Sequence, residues 1–227
     1  MNDFNSEIKE LKTIFEKNCD QETKVKQEKF LLNNFPFYGI LTSKRKPLVK
    51  PYLSEWNKKY PNFTDKKALF TALYHQPQRE FKYSAIEFLN LWWQKTLTFN
   101  DLDWLLALIR IDIWWETVDN VDDIFGQILF NHNDQTVARA YINKLISDQD
   151  DWVKRIAIQL QLNFKEKMDI DLIFTLVQPL LTTTNFYLIR SIGWTLRNAK
   201  RVASEKVESF IITNNISNKI IAVINEH

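Results

Sequence analysis

Apolar residues recur at spacings of three and four along almost the whole chain, interrupted by short stretches of Asn, Asp, Thr and Pro. That period is helical, and breaks of that chemistry are where helices stop, start and are capped. It predicts helices over about Ser6–Lys17, Lys24–Asn34, Pro47–Tyr60, Thr64–Tyr74, Arg79–Lys95, Leu102–Ile109, Ile113–Asn131, Asp134–Ile146, Trp152–Lys167, Asp169–Leu180, Phe186–Arg201 and Ser204–Asn214. The breaks read "FPFYG", "YPNFTD", "HQP", "FNHND", "SDQD" and "TTTN". With connections this short, consecutive helices are expected to pack antiparallel. Three glycines in 227 residues supply too few positive-φ turns for an all-β fold.

Three of the helices look related. "REFKYSAIEFLNLWW", "DWVKRIAIQLQLNF" and "NFYLIRSIGWTLRN" each begin near an aromatic and reach a small residue about one turn later. Those small residues, Ala85, Ala157 and Ser191, lie 72 and 34 apart, two units and one unit of a period of about 35. The fold class expected is therefore all-α, an α-solenoid of antiparallel helix pairs of the HEAT-like kind, forming one domain over residues 1–227.

Other classes drop out. Cys19 is alone, so there is no disulfide framework and no cysteine-rich metal site. His75, His132 and His227 are isolated in sequence, and no glycine loop or nucleophile elbow occurs. No metal and no cofactor is expected. The start, "MNDFNSEIKELK", has no apolar leader core, and no run of 18 apolar residues is present. A monomer in the cytoplasm is expected. The net charge of +2 says little about partners, so the distribution of charge has to carry that question.

Two helices place charge unusually. In "IDIWWETVDNVDDIF", residues Ile111, Trp114, Val118, Val121 and Phe125 make one apolar stripe, complete by itself. Trp115 and Asp119 lie about a quarter turn away, one above the other, so an indole and a carboxylate share a second face. A carboxylate beside an indole needs a cationic or hydrogen-bonded partner, and Arg155 is a candidate. Asp122 and Asp123 read as ordinary solvated acids. In "NFYLIRSIGWTLRNAKR", Leu188, Ile192, Thr195, Leu196 and Ala199 form the buried side. Arg190, Gly193, Trp194, Arg197 and Arg201 face the other way, an arrangement suited to phosphate and to stacking on sugars or bases. A close ligand backbone would explain the glycine, although on wheel geometry alone a solvated basic face with a packing Trp is the favoured reading. Arg155 falls off the Val153, Ile156, Leu160, Phe164 stripe, as a phosphate ligand or as half of an ion pair. "TSKRK", Thr42–Lys46, reads as a basic loop after Gly39, fit for phosphate or for any surface.

In these segments the chain resembles the AlkD family of DNA alkylation-repair glycosylases. The resemblance runs in order through "NNFPFYGI", "REFKYSAIEFL", "WWETVDN", "WVKRIAIQLQLNFKEKMD" and "FYLIRSIGWTLR". It implies a HEAT-like repeat protein that binds double-stranded DNA on a concave basic face and excises cationic N3- and N7-alkylated purines without a base-flipping pocket. Residue by residue, it implies Asp119 as the catalytic carboxylate, with Trp115 and Trp194 as aromatics around it. Arg155 falls near the lesion backbone and Arg197 on a DNA-contact position, to which the wheel adds Arg190 and Arg201. Thr42, Lys44, Arg45 and Lys46 match a family loop that usually carries a proline, absent here. Phe30 stands where the family has a third aromatic, a tyrosine, so the ring is kept and the hydroxyl lost. Non-excising relatives lack a short N-terminal helix, and "NCDQETKVKQEKF" is long enough to contain it. Two alternatives to the enzyme stay open: a non-catalytic DNA-binding paralogue on the same scaffold, and a HEAT-type protein-interaction module.

Overall fold

The computed structural model describes residues 3–226; Met1, Asn2 and His227, the last one of the isolated histidines, lie outside the described residues. The fold is all-helical, with no strand among the described residues. Its α-helices are α1 (Asn5–Asn18), α2 (Gln21–Phe30), α3 (Thr42–Lys59), α4 (Phe63–Tyr74), α5 (Arg79–Leu89), α6 (Trp93–Thr96), α7 (Leu102–Ile109), α8 (Trp115–Val118), α9 (Asp122–Phe130), α10 (Gln135–Ile146), α11 (Asp151–Gln159), α12 (Ile170–Val177), α13 (Phe186–Val202), α14 (Ser204–Thr213) and α15 (Asn218–Ile224). Contacts divide the chain into two compact units, one ending at Asp112 and the other beginning at Ile113.

The breaks carry the capping chemistry expected of them. Asn62, Asp134, Asp150 and Asn185 each accept a backbone N–H from the first turn of the following helix. Such caps satisfy donors that the helix itself leaves unpaired, at about 1 kcal/mol apiece.

In the N-terminal unit, α5 packs against both α3 and α4. Charged residues Arg79, Glu80 and Lys82 of α5 are buried, and each is matched. The Glu80 carboxylate accepts the backbone N–H groups of Tyr38, Gly39 and Ile40 at 3.0–3.2 Å. Arg79 donates to Asp112 O at 2.8 Å and lies 3.8 Å over the Phe35 ring. Lys82 donates to Tyr74 O at 2.7 Å and pairs with Asp112 at 3.0 Å. Two of the quoted segments, "NNFPFYGI" and "REFKYSAIEFL", are thus one structural device in which α5 pins an irregular loop. Gly39, at φ 89°, is needed there, because a Cβ would fall 2.1 Å from Asp20 O at the start of α2.

In the C-terminal unit, α9, α11 and α13 pack in series, with α10 against both α9 and α11 and with α14 and α15 against α13. This succession of alternate helices in contact is what stacked helix pairs require. The small residues of the three related helices, Ala85, Ala157 and Ser191, are fully buried.

Some elements differ from the sequence reading. "TSKRK" is the first turn of α3, not a loop. The expected Ile113–Asn131 helix is two helices, α8 and α9, with a break at Asp119–Val121. The Asn120 side chain bonds the Glu116 carbonyl, and Asn120 and Val121 donate to the carbonyls three residues back. That tightened turn stops the helix, while Val118, Val121 and Phe125 are all fully buried on either side of it. The expected Trp152–Lys167 helix ends at Gln159, and α15 was not anticipated at all.

Candidate active site

One turn of backbone places the central carboxylate. Trp114, in extended conformation, starts α8, and Asp119 N donates to Trp115 O at 3.0 Å. Trp115 and Asp119 therefore share a face, as their spacing expects, and neither is fully buried.

The partner comes from α11. Arg155 is 1% exposed, because its helix is covered by α8, α9, α10, α12 and α13. Its Nε and Nη2 both donate to Asp119 Oδ1, at 3.1 and 2.7 Å, and Nη1 donates to Tyr187 O at 2.8 Å. Of the two readings open for Arg155, the ion pair is the one observed. One turn further on, buried Gln159, with its amide nitrogen turned to the carboxylate, donates to Asp119 Oδ1 at 3.1 Å and accepts from Arg155 Nη2 at 3.0 Å. Three donors converge on Oδ1. Oδ2 has no protein partner among the described residues, and the Asp119 side chain is 27% exposed.

Aromatic rings wall this arrangement. The Trp194 ring has two guanidinium groups over it, Arg155 and Arg190, each 5.1 Å from its centroid. Trp114, Trp152 and Tyr187 form a cluster with centroids 4.7–5.5 Å apart, which steadies the Tyr187 carbonyl that holds Arg155. Tyr187, Trp152 and Gln159 were not singled out from the sequence. The aromatics near the helix starts were a visible signal; Gln159 gave none.

Asp122 overturns its reading as a solvated acid. It is 6% exposed, and burial, followed by the negative charge of Asp119, pushes its carboxyl up to about 7.

With this geometry in view, comparison with known proteins becomes informative. The family described as DNA alkylation repair enzyme matches residues 11–223. The chain belongs to that family. Its role is accordingly in DNA alkylation repair, as an enzyme with DNA as its partner. A solved structure described as a predicted DNA alkylation repair enzyme from Enterococcus faecalis superposes with a TM-score of 0.80 at 23% identity, over 92% of this chain and 96% of that one. At that identity the likeness speaks for the fold. No curated protein matches.

The remaining candidates of this DNA alkylation repair protein fall in different settings. Phe30 is the last residue of α2 in the N-terminal unit and is 69% exposed. Thr42, Lys44 and Lys46 are exposed in the first turn of α3, where Lys44 donates to Asn18 O at 3.3 Å. Arg45 does not face outward: it is 3% exposed and bidentate to Glu87 at 2.9 and 3.0 Å, because the helical turn aims it into the unit. Arg201 is exposed and bonded to Asn198. Arg190 and Arg197 are both held by Glu226. Gly193 is buried under α15, where an added Cβ would meet Val223 Cβ at 2.4 Å, so the close approach it permits is that of a helix of this protein. Among the described residues no group of side chains could hold a metal ion, and no helix is long and apolar enough to cross a membrane.

Proposed function

We propose that the protein is a DNA glycosylase that removes cationic N3- and N7-alkylated purines from duplex DNA, with Asp119 as its catalytic carboxylate. The observation that carries this reading is the split environment of that carboxylate, Oδ1 fixed by three donors and Oδ2 left open.

An alkylated purine is already a cation and leaves readily. The barrier is the oxocarbenium-like sugar and its capture by water. A carboxylate held in place costs no reorganisation when positive charge develops near it, and its open oxygen can also orient the water. Trp115 and Trp194 offer ring faces to the sugar, with a cation–π contribution of about 0.5–2 kcal/mol each, and Phe30 is the third ring the resemblance implies. Asp122 is buried and not placed to protonate a leaving base, so neutral bases, which need protonation to leave, are poor substrates on this reading. The segment Asn18–Phe30 contains a helix, α2, which supports the excising reading over the paralogue one.

The test is release of N7-methylguanine from methylated duplex DNA under single-turnover conditions. Wild-type protein is expected to release it, and Asp119→Asn to be slower by about 10²-fold or more. Near wild-type rates in purified Asp119→Asn protein would falsify the catalytic assignment; no release by either would favour the non-catalytic paralogue.

A further inference from the structure

Arg190 and Arg197, two arginines on one face of α13, converge on one residue. Arg190 Nη1 pairs with Glu226 Oε1 at 2.5 Å, and Arg197 Nη1 donates to Glu226 O at 3.0 Å. Glu226 follows α15 and keeps a long backbone bond to Val223 O at 3.4 Å. The contacts are partly exposed, with Arg190 at 28% and Glu226 at 41%. Among the described residues, Arg197 Nε is buried and has no hydrogen-bond partner. Arg190 thus holds the carboxylate and Arg197 the backbone carbonyl of the same residue, with Arg197 Nε left over, a set of guanidinium donors that suits an oxyanion.

The position of this clamp says which oxyanion. Arg190 and Arg155, the partner of Asp119, both lie over the ring of Trp194, each 5.1 Å from its centroid. One indole therefore contacts both an arginine of the clamp and the arginine that fixes the reactive carboxylate. A deoxyribose placed against Asp119 carries a phosphodiester on each side, and the clamp lies within the same neighbourhood.

We propose that Glu226 is an internal stand-in for a phosphodiester of the DNA backbone: in the free protein its carboxylate occupies Arg190 and its carbonyl Arg197, the position at which the resemblance implies a DNA contact. DNA binding and departure of the Glu226 carboxylate are then a single exchange, in which a phosphate takes the place of an internal anion. The site rests on the glycosylase reading only for the choice of DNA as the source of the phosphate. The exchange lowers affinity for every duplex alike, because phosphate contacts carry no base information.

The experiment measures affinity of the full chain for one undamaged duplex as a function of salt, for wild type, Glu226→Ala, Glu226→Ala with Arg190→Ala, and Glu205→Gln. Glu205 is an exposed acid on α14, and its variant reports the effect of net charge alone. Glu226→Ala is expected to bind roughly threefold to tenfold more tightly near 0.1 M salt, with a log–log salt slope steeper by about 1, since one more counterion is displaced. The added Arg190→Ala substitution should abolish both gains, and Glu205→Gln should show neither. Equal or weaker binding by Glu226→Ala with an unchanged slope overturns the proposal and makes Glu226 a plain structural partner. So does a gain that Glu205→Gln reproduces. Failure of every version, wild type included, to bind duplex DNA removes the phosphodiester as ligand and the glycosylase reading together. Tight binding without base release would sink only the glycosylase reading.

Discussion

Each unit holds one carboxylate against a convergence of donors, and the two are used differently. Glu80, in the N-terminal unit, is 0% exposed; the backbone donors of residues 38–40 reach both its oxygens. Burial pushes its carboxyl up and those N–H groups pull it back, leaving it raised. Asp119, in the C-terminal unit, takes three side-chain donors on one oxygen and leaves the other open. A fully matched buried acid organises the chain around it. A half-matched, part-exposed one has interaction capacity left for something that is not protein. The donors differ accordingly: backbone N–H groups fix a loop, whereas Arg155 and Gln159 fix the direction of a side chain.

The sharpest way to break this contrast is through stability. Glu80→Ala leaves three backbone N–H groups without an acceptor, each costing about 1–3 kcal/mol. A loss of roughly 3–5 kcal/mol and a fall of about 10 °C in melting temperature are expected in thermal unfolding. Asp119→Asn should slow base release by its two orders of magnitude while shifting the melt by only a few degrees. If instead Asp119→Asn unfolds the protein as readily as Glu80→Ala does, Asp119 is a second structural acid and the contrast collapses.

Asp122 sharpens it on the side of pH. Its carboxyl, raised to about 7, binds its proton more tightly in the folded than in the unfolded chain, where an aspartate titrates near 3.9. The stabilisation is therefore complete below about pH 4 and is lost as pH rises towards about 7. Asp122→Asn cannot ionise, so it should gain on the order of 1–3 kcal/mol over wild type at pH 8 and little at pH 4. Urea midpoints at the two pH values measure this. An equal gain at both would show that Asp122 does not titrate across that window.

The smallest effect concerns Gln159. Gln159→Leu removes one of three donors from Asp119 Oδ1; a hydrogen bond to an ionised group is worth about 1.5–3 kcal/mol, and with both guanidinium donors left in place the lower end applies, roughly tenfold in rate. Single-turnover release should slow by up to that factor with duplex affinity unchanged. A loss of affinity with an unchanged rate would mean that Gln159 shapes the DNA surface and not the carboxylate.

Much of the protein was legible from local pattern. Helix periodicity and the caps at Asn62, Asp134, Asp150 and Asn185 follow from near-neighbour chemistry. The pairing of Trp115 with Asp119 also survived, because it needs a single helical turn, and that turn is kept even though the helix stops immediately after it. Those features are what the sequence by itself determined. Tertiary structure decided where each face points. A wheel assigns a side chain to a direction around one axis, but whether that direction meets solvent depends on which other helix arrives there. Arg155 points away from its own apolar stripe and is nevertheless buried, because α11 is covered on several sides. Arg45 turns inward to Glu87 once "TSKRK" is helix instead of loop. Gly193 and its flanking arginines looked open because α15, only seven residues long, was not foreseen. Once that helix packs on Gly193, it brings Glu226 to Arg190 and Arg197 across about thirty residues of chain, a contact that no local spacing encodes.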